Sequence, residues 1–155
     1  MNAEPLLKQV AQALQQVKLE AVMVGNAAAA LHGAPVTTVD IDFMFRKTPA
    51  NIRKLKNLAR LLGGVILRPY YPASQLYRLS CDSRGIQLDF MPRLEGVRSF
   101  AGLRSRAKAV RFGKHSLLVA SLADIIASKI AAARPQDLAV LPVLNKTLKL
   151  QEKQR

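Results

Sequence analysis

Cysteine, tryptophan and acidic residues are scarce in this sequence of 155 residues, which has one cysteine and no tryptophan. The single cysteine, Cys81, cannot form an internal disulfide, so a disulfide-stapled scaffold is excluded and a reducing compartment is indicated. No apolar run approaches the ~20 residues that a membrane-spanning helix requires. The N-terminus also lacks the charged-then-apolar pattern of a signal peptide. We therefore expect a cytoplasmic protein that has no membrane partner.

The shortage of acids leaves a strong positive charge. Lys and Arg number 24 against 10 Asp and Glu, a formal net charge of +14. No acid lies between Asp42 and Asp82, or between Glu95 and Asp124. Such an excess opposes compact folding by self-repulsion unless a polyanion usually lies nearby. RNA or DNA fits this description, and an acidic protein partner is the alternative. The cations that we expect to contact nucleic acid are Arg98, Arg104, Arg106, Lys108 and Arg111.

What the sequence does contain is enough apolar material for one domain, since half of the residues are hydrophobic. Apolar periodicity and turn signals predict alternating helices and strands. The predicted helices cover residues 5–17, 26–32 and 48–63, and two more follow Ser121 and Pro135. The predicted strands cover residues 20–24, 37–45, 64–68, 75–80 and 86–91, with a hairpin over 108–120. This pattern predicts an α/β (α+β) fold.

The division of the chain follows from the same pattern. Residues 1–120 form the predicted core, residues 121–150 a helical element packed on it, and residues 151–155 a frayed tail. Pro142 is expected to kink or end the last helix early. The segment 98–106 has no apolar periodicity, so it is interpreted as a mobile basic loop. Such a loop either closes over a substrate or is a disordered surface loop.

Two aspartates stand out in the strand predicted over residues 37–45. Side chains alternate along a strand, so Asp40 and Asp42 point to one face, while Ile41 and Phe43 point to the other. Just upstream, a short apolar run stops at Gly25 and a small-residue helix begins. Paired carboxylates beside a glycine turn at a helix start can hold a divalent metal and a phosphate. The alternative is that both aspartates are solvated on the open face of an edge strand.

The motif resembles the signature of the nucleotidyltransferase superfamily (DNA polymerase beta-like). The resemblance lies in Gly25-Asn26 and, after thirteen residues, Asp40-Ile41-Asp42-Phe43. A narrower resemblance, to the abortive-infection AbiEii-type toxin branch, lies in His32-Gly33, Pro35 and Thr38. Two positions depart from the pattern: Asn26 replaces a second glycine or serine, and Val36 replaces an arginine. The resemblance implies a nucleotidyltransferase-like mixed β-sheet flanked by helices, with a short C-terminal helical extension.

The same resemblance implies a third strand carboxylate, and Asp89 in the strand over 86–91 fits it. Three converging carboxylates repel one another unless cations neutralise them, and oxygen ligands favour Mg²⁺. Asp40, Asp42 and Asp89 are therefore the implied catalytic and metal-binding residues, with two Mg²⁺ ions. Asp89 is also the implied base.

The implied nucleotide-binding residues lie at both ends of the chain. Gly25 and Asn26 would cradle the phosphates, and Asn26 is also a candidate cap of its helix. Lys129 lies on the apolar stripe of the helix after Ser121, where it must reach solvent or find an anion. The resemblance assigns it to the nucleotide phosphates, with Arg134 and Asp137 shaping the site. For Asp137, a first-turn role in a helix starting at Pro135 is the alternative. For His32, packing or capping is favoured over catalysis.

The function that the resemblance implies is metal-dependent transfer of NMP from an NTP to an acceptor. The acceptor it favours is RNA, specifically tRNA, with the protein acting as the toxin of a toxin–antitoxin or abortive-infection system that has a cognate antitoxin. One alternative is an MNT-type antitoxin that attaches AMP to a partner toxin protein. The other is a non-catalytic nucleic-acid-binding module.

Overall fold

The computed structural model describes residues 4–37 and 40–154. Its elements in chain order are α1 (Glu4–Val17), β1 (Ala21–Val24), α2 (Gly25–Leu31), β2 (Ile41–Phe45), α3 (Pro49–Leu62), β3 (Val65–Leu67), β4 (Tyr77–Cys81), a 3₁₀ turn (Asp82–Arg84), β5 (Ile86–Met91), α4 (Phe100–Arg106), β6 (Lys108–Phe112), β7 (His115–Val119), α5 (Leu122–Ala132) and α6 (Pro135–Lys153). Thr38 and Val39, part of the predicted second strand, lie outside the described residues.

The seven strands form one mixed sheet in the order β3-β4-β5-β2-β1-β7-β6. The central strand β2 runs antiparallel to β1 and parallel to β5. Strand β7 runs parallel to β1 on its other side. The predicted α/β class with a mixed, helix-flanked sheet is therefore confirmed.

The helices that flank the sheet bury its apolar side chains. Helices α1 and α3 pack together, α1 also against β6 and β7, and α3 against β3 and β4. Helix α2 packs on β1, β2 and α5, and α5 packs on α6. On β2 and β5, Phe43 and Phe90 are fully buried with stacked rings, 5.1 Å between centroids. Since side chains alternate along strands, the residues before and after these rings face the opposite side of the sheet.

Local signals fixed several element ends as predicted. The Thr48 hydroxyl accepts a hydrogen bond from the Asn51 amide, and Gly63 ends α3 in the left-handed conformation. The Ser121 hydroxyl caps α5 by accepting from the Asp124 amide. Helix caps involve residues three apart, so the sequence alone carries the whole signal.

The predicted mobile loop over 98–106 is wrong, because most of it is helix α4. The Ser99 side chain caps this helix at the Gly102 amide, and Phe100 and Leu103 are buried. The two buried residues lie three apart on one helical face, a pattern too short to stand out among the surrounding arginines.

The prediction that the last helix ends early is also wrong. Helix α6 passes through Pro142 and continues to Lys153, so residues 151–153 of the expected frayed tail are helical. Proline removes one backbone hydrogen bond from a helix interior. Past it, however, Leu144 is fully buried and Thr147 is nearly so, and the Thr147 hydroxyl donates to the Val143 carbonyl at 2.9 Å. Packing of this face outweighs the cost of the proline.

We expect Leu144→Ala to lower the free energy of unfolding by about 2–5 kcal/mol, since it leaves a cavity beneath α6. Leu150→Ala is the matched control: Leu150 is half exposed on the same helix, so its loss should cost less than about 1 kcal/mol. Urea denaturation followed by circular dichroism measures both. Equal, small effects of the two substitutions would show that the second half of α6 is not packed on the core.

Candidate active site

A row of polar side chains crosses the middle of the sheet. Arg78 on β4 is in register with Asp89 on β5, and Asp89 is in register with Asp42 on β2. Asp42 in turn is in register with Val24, the last residue of β1 before Gly25. Neighbouring strands lie about 4.8 Å apart, so Arg78, Asp89 and Asp42 stand side by side on one face. Asp42 and Asp89 thus converge as the sequence predicts.

Asp42 is the electrostatically strained member of the row. Burial, then the charge of Asp89, then that of Asp40, raise its pKa from 3.8 to about 6, against the opposing influence of Lys129 and Arg134. Within the described part of the chain, its carboxylate has no hydrogen-bond or ion-pair partner. The carboxylate lines an open cleft, so a cation could reach it directly.

Gly25 makes room for that carboxylate. Its φ of +73° is the left-handed conformation that glycine adopts without strain, and a Cβ there would lie 2.9 Å from Asp42 Oδ2. Any other residue at this position would therefore both strain the backbone and press on the carboxylate. The glycine of the predicted motif is required by this close approach.

Asp40 lies just before β2, in the same cleft. Its Oδ1 accepts a hydrogen bond from Gln87 Nε2 at 2.8 Å. Gln87 precedes Asp89 by two residues on β5, so the two strands that carry the aspartates are also tied by this bond. Strand alternation puts Gln87 on the same face of β5 as Asp89, but nothing in the sequence indicates its contact with Asp40.

Asp89 is buried and held by Arg78. Arg78 Nε donates to Oδ1 at 2.9 Å and Nη2 donates to Oδ2 at 3.2 Å, a two-pronged ion pair. The hydrogen bond to Asp89 raises the pKa of Arg78 above its ordinary value. Arg78 was missed as a site residue at the sequence level. The alternation of Tyr77, Arg78 and Leu79 indicated its face, but the register with β5 needs the three-dimensional pairing.

Lys129, Arg134 and Asp137 form a second charged group that lines the same cleft. Arg134 donates to both oxygens of Asp137, from Nε at 2.7 Å and Nη2 at 3.2 Å, and Lys129 Nζ lies 3.5 Å from Oδ1. Burial raises the pKa of Asp137, but the hydrogen bonds and charge of Arg134, helped by Lys129, outweigh this and hold it below its usual range. Asp137 also accepts from the Arg134 backbone amide as a cap of α6. The predicted first-turn role of Asp137 is therefore confirmed, and the same carboxylate is paired with Lys129 and Arg134.

These groups surround a cleft of about 600 Å³. It is lined by the three aspartates together with Gly25, Asn26, Arg78, Lys129, Arg134 and Asp137. Glu95 and Asp124 line it as well, so six of the ten acidic residues of a strongly basic chain lie here. All predicted catalytic and nucleotide-binding residues therefore share one cavity. Even so, no three His, Cys, Asp or Glu side chains over 4–37 and 40–154 are already arranged to hold a metal ion.

Asn26 does not cap its helix. Helix α2 begins at Gly25 with Val24 as the N-cap residue and no side-chain cap, and the buried Asn26 Oδ1 has no hydrogen-bond partner among residues 4–37 and 40–154. The expected capping role is wrong because the helix begins one residue before Asn26, which places its side chain inside the first turn.

His32 has the structural role that the sequence favoured. Its Nε2 donates to the Ala120 carbonyl at 2.8 Å, and its Nδ1 accepts from Gln151 Nε2 at 2.8 Å. It joins the end of α2 to β7 and α6.

The five cations expected to contact nucleic acid are all exposed. Two of them have acidic partners: Arg104 Nε lies 2.6 Å from Glu20 Oε2, and Arg106 Nε lies 2.8 Å from Asp124 Oδ2. These pairs attach α4 to the rest of the molecule. Arg98, Lys108 and Arg111 form no ion pair within the described residues, so their charge is open to solvent.

The described residues contain no helix that combines the length and the apolar character needed to cross a membrane.

The fold is nucleotidyltransferase-like, as comparison with solved structures shows. The solution structure of the antibiotic-resistance factor ANT(2″)-Ia superposes with a TM-score of 0.66 at 14% identity, covering 94% of this chain and 83% of that one. The crystal structure of ANT(2″)-Ia in complex with adenylyl-2″-tobramycin gives 0.66 at 15% identity, covering 98% and 92%. The crystal structure of TM1012 from Thermotoga maritima gives 0.55 at 20% identity, covering 97% and 92%. The sequence matches no family model and no curated protein. At these identities the likeness establishes the fold.

The raised pKa of Asp42 predicts a specific dependence of stability on pH. Between pH 3.8 and about 6 the folded protein binds this proton more tightly than the unfolded chain. Stability should therefore fall as pH rises through this window, by up to about 3 kcal/mol. Asp42→Asn should remove this component.

Urea unfolding in EDTA from pH 4 to 7.5 measures the effect, as the difference between wild type and Asp42→Asn. Asp82→Asn, at an exposed aspartate of the 3₁₀ turn, is the control and should keep the wild-type pH dependence. Parallel pH curves for wild type and Asp42→Asn would contradict the raised pKa.

Proposed function

We propose that this protein is a metal-dependent nucleotidyltransferase that transfers NMP from an NTP to an acceptor. The observation that carries the proposal is the pairing of Asp42 with Asp89 on neighbouring strands, directly beside Gly25, in a cleft of the nucleotidyltransferase fold. A solvated edge strand, the alternative reading of the aspartates, does not agree with this position. Strand β2 is central in the sheet and Asp42 is largely buried.

The residues of the cleft fit a divalent cation held by Asp40 and Asp42. The Asp42 carboxylate lines the cleft without a hydrogen-bond or ion-pair partner among the described residues, and burial together with Asp89 and Asp40 raises its pKa, so a cation there would be stabilised. Oxygen ligands of this kind suit Mg²⁺. When bound, Mg²⁺ neutralises triphosphate charge and polarises the phosphoryl oxygens.

The remaining residues would bind and orient the nucleotide. Lys129 and Arg134 place two positive charges in the same cleft as Asp42, where they attract the triphosphate and stabilise charge that develops on it. Asp137 fixes both cations, because it is buried and paired to each. Gly25 leaves room for the Asp42 carboxylate at the start of α2, and the neighbouring Asn26 has an oxygen, without a partner among the described residues, that can accept a hydrogen bond.

The acceptor that the charge distribution favours is RNA, with tRNA as the first candidate and toxicity as the result of its modification. Support comes from the net charge of +14 and from Arg98, Lys108 and Arg111, which lie exposed without acidic partners among the described residues. A small hydroxylated molecule is the second candidate, because the neighbour ANT(2″)-Ia was crystallised with adenylyl-2″-tobramycin. Both acceptors would present a hydroxyl group to the same cleft.

We expect nucleotide transfer to depend on Asp42. Purified protein is incubated with Mg²⁺, each labelled NTP and one of three acceptors: total tRNA, cell protein or tobramycin. Asp42→Ala should reduce the labelling rate at least about 100-fold, while the exposed Asp82→Ala should retain it. The labelled acceptor distinguishes RNA modification, protein AMPylation and small-molecule adenylylation. RNA binding without transfer, unaffected by Asp42→Ala, would instead indicate a non-catalytic binding module.

The proposed RNA contacts predict a salt dependence. Replacing Lys108 and Arg111 with glutamine should weaken tRNA binding and reduce the slope of log K against log salt by about 1 for each lost phosphate contact. Filter binding or fluorescence anisotropy over a salt series measures the slope. Lys149→Gln, an exposed cation on α6, is the charge-matched control and should leave the slope of wild type. An unchanged slope in the double variant would place the RNA elsewhere.

A further inference from the structure

The carboxylate of Asp89, which the motif implies as a ligand of a second divalent cation, is paired with an arginine side chain. Both oxygens of Asp89 accept hydrogen bonds from the Arg78 guanidinium, and the Asp89 side chain is only 7% exposed. Arginine stays charged under all conditions in which the protein is folded. Asp89 is therefore neutralised permanently, by a cation that belongs to the chain.

The two sides of the polar row differ in consequence. On one side, Asp89 has a fixed positive partner. On the other, Asp42 has none within the described residues, and Asp40 beside it accepts a hydrogen bond from Gln87 Nε2. A bound cation would therefore be stabilised at Asp42, whereas the charge of Asp89 is already neutralised by Arg78.

A metal ion bound to Asp89 would also meet a direct electrostatic obstacle. An ion about 2.1 Å from either carboxylate oxygen would have to share that oxygen with an N–H of Arg78. The guanidinium would then lie within a few ångströms of a doubly charged ion in a partly buried site, where like charges are poorly screened. The absence of any ready three-carboxylate group over 4–37 and 40–154 agrees with this.

We propose that Arg78 replaces the second metal ion, so that the site holds one divalent cation, at Asp40 and Asp42, with Asp89 kept in place by Arg78. This inference rests on the proposed function, since it concerns the metal site of that reaction. It makes Arg78 a positioning residue that sets the metal stoichiometry.

Counting bound Mn²⁺ tests the inference without any measurement of activity. Free Mn²⁺ is followed by electron paramagnetic resonance as metal alone is titrated into the protein. Wild type should bind one ion per chain, and Arg78→Gln should bind two, because Asp89 becomes available as a ligand. Arg93→Gln removes the same charge from the same cleft lining and should still bind one ion. Asp42→Asn should weaken the single wild-type site at least tenfold.

A double variant decides the question if Arg78→Gln does not fold. Arg78→Gln with Asp89→Asn replaces the ion pair by two neutral groups of similar shape, which leaves no buried charge unpaired. It should bind one Mn²⁺, as wild type does. Two ions on wild type and one on the double variant would overturn the role of Arg78 while leaving the transferase proposal intact. One ion on both wild type and Arg78→Gln would overturn it as well. No Mn²⁺ binding by wild type would overturn the metal site of the proposed function itself.

Discussion

Two carboxylates in register on adjacent parallel strands are the constraint on which the rest of the site depends. Such a pair is unfavourable, because like charges are brought together where water is limited. The chain resolves half of the conflict internally, since Arg78 occupies the next strand and neutralises Asp89. The charge of Asp42 is not neutralised by a partner among the described residues, and burial with the nearby carboxylates raises its pKa. Gly25 lies against the Asp42 carboxylate, and the charges of Lys129 and Arg134 act on it within the same cleft.

In the second charged group, one carboxylate, that of Asp137, has two structural roles. Asp137 is almost completely buried, yet it is stabilised as an anion because two cations and a backbone amide converge on it. Its role as a helix cap and its role as an anchor for Lys129 use different lone pairs of one carboxylate. The carboxylate of Asp137 therefore both orients Lys129 and Arg134 in the cleft and caps the start of α6. Fold and site are linked at this residue.

The sequence revealed those parts of the fold that depend on short separations. Thr48, Gly63 and Ser121 mark helix ends, and the face of each aspartate follows from strand alternation. Long-range packing was out of reach: nothing near Pro142 indicates that Leu144 is buried, and nothing near Asp89 indicates which strand becomes its neighbour. For the same reason Asp42 and Asp89 could be named as candidates, whereas Arg78 could not. The ion pair joins positions eleven residues apart through a register that only the assembled sheet defines.

The Asp42 carboxylate lies where a side chain at position 25 would begin, so substitutions at the two positions depend on each other. A methyl group at position 25 would touch the carboxylate oxygen of residue 42, so each position restricts what mutation can install at the other. A lineage that keeps the acid is confined to glycine, while one that has lost the acid is free to accept a small side chain there, apart from the backbone strain. Drift at position 25 would thus record whether selection still maintains the chemistry of the cleft.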